Sequence, residues 1–436
     1  MFLRTWLMPI ISQHLLSRAR LLKKRDSAEL KRAKLGQRHQ LHYFHQVDDP
    51  YSALTASILA ALLARYDLEL VAHVVGPPPN DAAPEREKLI AYSRRDAQIL
   101  ASHYALNFVD LGAQPSALSL DWTTARLVKA IQTGHFTELV GPLSDALWCA
   151  ESTPPDCTLD STLSDLATRS EVVTHLEASM ALRQHLGHYL GATFYYGGEW
   201  YWGIDRLHHL ERRLQTLELA QDSVQDVMFA PGEDLQEAQK ASCPAPIDFY
   251  FSLRSPYTAI VAERVFNLGR LTGAPVRLRY VLPMVMRGLS VPKTKRMYIA
   301  LDTAREAFER NIPFGRLNDP VGHPTERGLS LMPYAEREGL GQRYVLSFLR
   351  GVWAEGLDAG SDRGLRIIVE RAGLAWPQAQ IELKNEAWRE TAEENRQQLF
   401  SLGLWGVPSF RVGDLAVWGQ DRLWAVQEAL LSGTQK

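Results

Sequence analysis

The chain has 436 residues, too many for one ordinary core, so two or three domains of roughly 100–200 residues are expected. Its 48 Lys and Arg stand against 50 Asp and Glu, a formal charge of −2, and 22% charged residues is an ordinary globular value, so nothing global points to nucleic acid. Three cysteines, Cys149, Cys157 and Cys243, form neither a C-x-x-C pair nor a metal-ligand cluster, which argues against a disulfide framework and dithiol redox chemistry and fits a reduced, cytoplasmic setting.

Residues 1–40 form a separate arm. An apolar start (Phe2, Leu3, Trp6, Leu7, Ile10, Ile11) is followed by a basic stretch running from Arg18 to Arg38. The apolar part falls far short of the about 20 residues that span a membrane, and charge follows it instead of preceding it, unlike a secretory signal. Two readings stay open: a basic amphipathic helix on a membrane surface, or a helix packed on the first domain or a partner with a solvated basic face.

Leu41–Val47 then forms a strand, Asp49-Pro50-Tyr51 turns into a helix that runs to about Tyr66, and Leu68–Val75 forms a second strand, a βαβ order that implies a parallel pair. Gly76-Pro-Pro-Pro-Asn80 breaks the pattern. A mostly helical stretch follows to about Leu190, with breaks near Gly112–Pro115, Gly134, Gly141-Pro142 and Thr153–Asp156. Phe194–Tyr196 and Trp200–Trp202 make a hairpin around Gly197-Gly198, and Ile204–Leu217 a closing helix.

The same programme occurs again. Ile247–Leu253 is a strand, Pro256–Leu268 a helix, Val276–Val281 a strand, and Lys295 to about Ala372 a helical block. Ser409–Val412 and Leu415–Trp418 form a hairpin around Gly413-Asp414, and Arg422–Leu431 a last helix. Two anchors align: Asp49-Pro-Tyr-Ser-Ala53 with Ser255-Pro-Tyr-Thr-Ala259, and Trp202-Gly-Ile-Asp-Arg-Leu207 with Trp418-Gly-Gln-Asp-Arg-Leu423. The expected organisation is therefore α/β: two tandem thioredoxin-like domains, 41–220 and 247–436, each with a large helical insertion. The polar, Pro-containing residues 221–246 have the composition of a linker between them.

At the second junction the strand delivers Ser255 to a helix whose first residue is Pro256. Serine is a preferred N-cap and proline suits the first helical position, so capping alone explains the pair. The same place also favours an anion, a thiolate included, because backbone N–H groups and the helix dipole converge there.

With Ser255-Pro256-Tyr257 after a strand, Val407-Pro408 before a hairpin and Gly419-Gln-Asp-Arg422 opening the last helix, the second half resembles the 2-hydroxychromene-2-carboxylate isomerase and kappa-class glutathione transferase family, within the DsbA-like thioredoxin superfamily. Phe249-Tyr-Phe, Lys295 three residues before Tyr298, and Asp302 also match. The resemblance covers about Pro246–Leu431; it reaches Leu41–Leu217 only through the repeat. It implies a catalytic Ser255, glutathione held as cosubstrate by Lys295, Val407, Pro408, Gln420 and Asp421, and a pocket for a small-molecule electrophile beside Tyr257, Tyr298 and Trp405. It also implies a cis proline at Pro408, with the Val407 backbone facing an extended peptide-like ligand. Gln420 departs from the small hydroxyl residue of the family pattern. Dimerisation is common in the family.

Such a site supplies no thiol of its own, so a bound glutathione would provide the thiolate, for an isomerase or a transferase. In the first repeat Asp49 replaces the serine, and Thr193 beside Ala192 is expected opposite Pro408 and Val407; a carboxylate would raise a facing thiol's pKa, so no glutathione site is expected there. His323 and the other histidines lack metal-ligand spacing, and no metal site is assigned. A non-catalytic tandem protein that captures extended peptides beside Pro408 is the competing reading; a DsbA-type oxidoreductase relative would have lost its cysteines.

Overall fold

A computed structural model describes residues 2–149, 166–221, 226–241 and 245–432; Cys157, Cys243 and the expected break at Thr153–Asp156 lie outside them. Two compact units make up the chain, one of Lys23–Pro231 and one combining Met1–Leu22 with Gly232–Lys436. Helix α1 (Phe2–Leu15) belongs to the latter, and the division falls within α2 (Arg18–Lys34).

In the Lys23–Pro231 unit, β1 (Gln40–His45) pairs in parallel with β2 (Glu69–Val74), in register from Gln40↔Glu69 to His45↔Val74, and α3 (Pro50–Arg65) makes the crossover. Helices α4 (Arg86–His103), α5 (Ala117–Thr133), α6 (Phe136–Cys149) and α7 (Arg169–Leu186) follow. Strands β3 (Thr193–Tyr196) and β4 (Glu199–Trp202) then complete the sheet in the order β2-β1-β3-β4. Gly197 and Gly198 both have positive φ (51° and 88°), as a tight hairpin matching strand twist requires. The expected closing helix divides into a 3-10 turn, Ile204–Arg206, and α8 (Leu207–Thr216).

In the other unit, β5 (Ile247–Phe251) is buried at all five positions, as a strand covered on both faces must be. It pairs in parallel with β6 (Val276–Tyr280) through the crossover α9 (Pro256–Thr272). After α10 (Lys293–Glu309) come α11 (His323–Ser330), α12 (Met332–Arg337), α13 (Gly341–Trp353), α14 (Asp362–Ala372), α15 (Trp376–Glu382) and α16 (Trp388–Ser401). The hairpin β7 (Ser409–Val412) and β8 (Leu415–Trp418), then a 3-10 turn at Gln420–Arg422 and α17 (Leu423–Leu431), close the unit. The sheet order is β6-β5-β7-β8, and Phe249 stacks on Phe410 across β5 and β7 at 5.5 Å.

Two stretches that composition marks as arm and linker are fastened into this unit. From α1, Ser12 Oγ accepts the Leu317 N–H at 2.8 Å. The residues from Gly232 onward lie along α9 and α17: Gln239 and Ala241 donate backbone N–H groups to the Leu271 and Thr272 carbonyls, and the Leu235 N–H reaches Gln427 Oε1 at 2.9 Å. Gly232 approaches the Trp424 side chain so closely that a Cβ there would overlap it. In the Lys23–Pro231 unit, Arg25 of the basic stretch makes a two-point ion pair with Glu199 at 2.6 and 2.9 Å, so part of its charge is internally balanced. Among the described residues no helix is long and apolar enough to cross a membrane.

Candidate functional site

Strand β5 ends at the turn Ser252–Ser255, where the Ser255 N–H donates to the Ser252 carbonyl at 3.0 Å and Arg254 is held on Asp319 by a two-point ion pair. Ser255 has extended backbone (φ −91°, ψ 118°), and its Oγ accepts the Thr258 N–H at 3.2 Å, the N-cap bond that its residue type leads one to expect. Pro256 occupies the first helical turn. The Ser255 hydroxyl proton goes to the Val407 carbonyl at 3.3 Å, a long bond and therefore a weak one. The peptide bond between Val407 and Pro408 is cis, and the Pro408 carbonyl accepts the Gly419 N–H at 3.0 Å. Three of the residues singled out in the sequence, Ser255, Val407 and Pro408, thus meet at the N-terminal end of α9.

The other selected residues lie on the elements around this junction. The Tyr257 hydroxyl donates to Asp302 Oδ2 at 2.7 Å, and Arg305 pairs with the other oxygen of the same buried carboxylate at 2.6 Å, which fixes the start of α9 to α10. Lys295 is half-buried in the first turn of α10, and Tyr298 is buried one turn later. The Trp405 ring is buried against that of Trp418 at 4.9 Å. Asp421 is partly exposed, with Arg422 at 3.4 Å from its carboxylate.

Gln420 occupies a different setting. Its side chain is buried, its amide N–H donates to Glu306 Oε2 at 2.9 Å, and its Oε1 accepts from Arg264 at 3.0 Å. Arg264 in turn grips Asp234 at 2.7 Å through two nitrogens. This Asp234–Arg264–Gln420–Glu306 chain joins the polar segment after Gly232 to α9, α10 and the turn before α17. No motif signals it, because its members come from four separate stretches of sequence.

The junction in the Lys23–Pro231 unit has the same frame with different chemistry. Asp49 caps α3: its carboxylate accepts the Tyr51 and Ser52 N–H groups at 3.3 and 3.2 Å and the Ser52 hydroxyl at 2.9 Å. Tyr51 donates to Asp96 at 2.7 Å, spanning the same 45 residues that separate Tyr257 from Asp302. The chain packed around the Asp49 carboxyl pushes its pKa up to about 7, opposed by the Ser52 hydrogen bond.

The expected place of Thr193 needs correction. Thr193 pairs with Trp202 as Ser409 pairs with Trp418, and the Gly203 N–H donates to the Ala192 carbonyl at 2.8 Å as the Gly419 N–H does to that of Pro408. Ala192 therefore stands where Pro408 stands, and Gly191 where Val407 stands. Backbone register decides this, one residue away from the match that residue types suggest. The consequence is local: the Ala192 N–H donates to Ser52 Oγ at 2.9 Å, whereas proline has no N–H to give, and the buried Oγ1 of Thr258, the counterpart of Ser52, has no hydrogen-bond partner among the described residues.

Residues 246–431 match the family described as the DSBA-like thioredoxin domain. A 2-hydroxychromene-2-carboxylate isomerase of Pseudomonas putida is 25% identical over 194 residues, covering 42% of this chain and 93% of the relative. One from Sphingobium xenophagum is 25% identical over 195 residues, covering 42% and 97%. Among solved structures, a 2-hydroxychromene-2-carboxylate isomerase is 25% identical with a TM-score of 0.37, covering 42% of this chain and 93% of that one. The C-terminal part of the chain is thus a DsbA-like thioredoxin domain, similar in sequence to 2-hydroxychromene-2-carboxylate isomerases.

Proposed function

We propose that this chain is a glutathione-dependent isomerase or transferase whose site lies in the C-terminal domain, with Ser255 as the group that stabilises the thiolate. The observation that carries the reading is the junction itself: a serine at the N-terminus of α9, 3.3 Å from the Val407 carbonyl beside Pro408. The relatives' activity supports the choice of reaction.

A hydroxyl has one proton to donate. With glutathione bound, that proton turns from the Val407 carbonyl to the sulfur, while the Thr258 N–H keeps the oxygen in place. The bond given up is long, so the exchange costs little. Each unit by which the thiol's pKa falls corresponds to about 1.4 kcal/mol in favour of thiolate. The helix N-terminus adds to the effect.

In an isomerisation the thiolate forms a C–S bond to the far carbon of a conjugated ketone, and the displaced electron pair moves onto the carbonyl oxygen as an enolate. The former double bond rotates as a single bond. The enolate pair then returns, the C–S bond breaks, and the thiolate leaves unchanged. In a transfer, the same thiolate stays bonded to its electrophile. Both readings use Lys295 and Asp421 as candidate anchors for the ends of glutathione, and Tyr257, Tyr298 and Trp405 as pocket side chains. Gln420 acts in this account by positioning the turn that carries Asp421, since its amide is held by Arg264 and Glu306.

The Lys23–Pro231 unit is taken to be a second thioredoxin-like domain, the product of a tandem duplication. Equal strand order in the two sheets, and the tyrosine-to-aspartate bond over 45 residues in both, support this.

Calorimetric titration tests the assignment. Glutathione is expected to bind the wild-type chain, with binding or turnover diminished in Ser255→Ala. No binding to the wild type, or undiminished binding and turnover in the variant, would overturn it.

A further inference from the structure

At the Asp49 junction the chain forms a cleft, walled by Pro77, Pro78, Leu89, Ile90 and the rings of Tyr51 and Trp202. The rings meet edge to face at 5.9 Å. Gly191 forms part of the lining, and a Cβ there would run into Gln46 and Ser52, so the cleft's floor depends on a bare backbone. Its charged lining consists of Asp48, Asp49 and Arg86.

The two carboxylates already have donors. Asp48 accepts the Gln46 amide at 3.0 Å, and Asp49 accepts two backbone N–H groups and the Ser52 hydroxyl. Arg86 is half-buried on the first turn of α4, and among the described residues nothing makes a hydrogen bond or ion pair with its side chain. Among the described residues this guanidinium is the one charge of the lining without a partner, and none of its nitrogens is buried. Its fork of donors matches a carboxylate.

We propose that this cleft binds a small apolar carboxylic acid, its carboxylate on Arg86 and its apolar body between the proline wall and the Tyr51 and Trp202 rings. The site is separate from the Ser255 junction and needs no thiol. Asp49 tunes it: as the neutral acid it leaves the ligand's charge unopposed, and as the carboxylate it repels it. Asp48 is the other carboxylate that faces it. Leu190, Gly191 and Trp202, which line the cleft with Asp49, carry no charge, and burial raises the pKa of Tyr43, the β1 side chain that feels the Asp49 charge.

Titration of the full chain with 3-phenylpropionate, read by calorimetry, tests the proposal, with 3-phenylpropylamine as the ligand of opposite charge. Saturable binding of the acid and not the amine is expected, weakened about tenfold in Arg86→Gln. Affinity is expected to fall as pH rises from about 6 to about 8, and Asp49→Asn, which keeps the cap, to remove that fall. No saturable binding of the acid, tighter binding of the amine, or an affinity unchanged in a folded Arg86→Gln would overturn the proposal. The ligand pair is compared on wild-type protein, so that arm stands even where the variant does not fold.

Discussion

The two junctions, Asp49-Pro50-Tyr51 and Ser255-Pro256-Tyr257, are built alike: a strand buried along most of its length, a capping side chain, a proline in the first helical turn, and a tyrosine anchored to an aspartate 45 residues on. They differ in the two atoms that matter for chemistry. One cap is a carboxylate drawn toward neutrality, the other a hydroxyl with a proton to give. Opposite them stand Ala192, whose N–H closes onto Ser52, and Pro408, which has no N–H. A similar frame thus carries a carboxylic acid at one junction and a hydroxyl at the other, and capping geometry does not distinguish them.

The sharpest way to break the comparison is to make one junction resemble the other. Ser255→Asp keeps the cap and the fold but sets a carboxylate against the thiolate, and turnover with glutathione is expected to vanish; Ser255→Ala should lower it by about 10²-fold, measured as kcat/KM. Turnover in Ser255→Asp equal to wild type would remove the distinction between the junctions.

A smaller effect is expected from the network that belongs to the C-terminal unit. Arg264→Ala leaves Asp234 and the Gln420 side chain without their shared donor and should cost about 2–3 kcal/mol, read as a fall in the urea midpoint. Loss of glutathione affinity beyond that of Gln420→Leu would assign Arg264 a part in binding.

Asp49 makes the pH dependence of stability a signature of its own junction. Its folded pKa, about 7, lies above the ordinary value of 3.8, so its contribution is fully present below about 4 and is lost as pH rises through about 7. Asp49→Asn should therefore flatten the decline in Tm across that window. An unchanged profile would place the decline in other groups.

The smallest effects are expected from Tyr51→Phe and Tyr257→Phe, each losing one hydroxyl bond to a carboxylate and about 1–2 kcal/mol by denaturant titration. Markedly unequal losses would show that the two anchors are not equivalent.

Much of this frame can be read in the sequence. The apolar runs that become β1 and β5, the Asp and Ser caps followed by proline, and the Gly197-Gly198 turn are local signals, and local signals survive folding. What the sequence hides is set by long-range packing. Nothing near Gln420 in the sequence announces that Arg264 and Glu306 hold its amide. Asp234 sits in a stretch with the composition of a linker, yet is ion-paired to α9. The helix Phe2–Leu15 is grouped with residues more than two hundred positions away, which no local pattern announces. Residue types alone select Thr193 instead of Ala192, because the register of the hairpin is not written in them, and Ala192 adopts a positive φ of 51° that its type does not suggest.

The proposed function turns on Ser255 holding a thiolate. It is tested most directly by following the ultraviolet absorbance of the thiolate of bound glutathione across a pH titration of the wild-type chain and Ser255→Ala. A midpoint about one unit or more below that of free glutathione is expected in the wild type, returning toward the free value in the variant. The same midpoint in both proteins would contradict it.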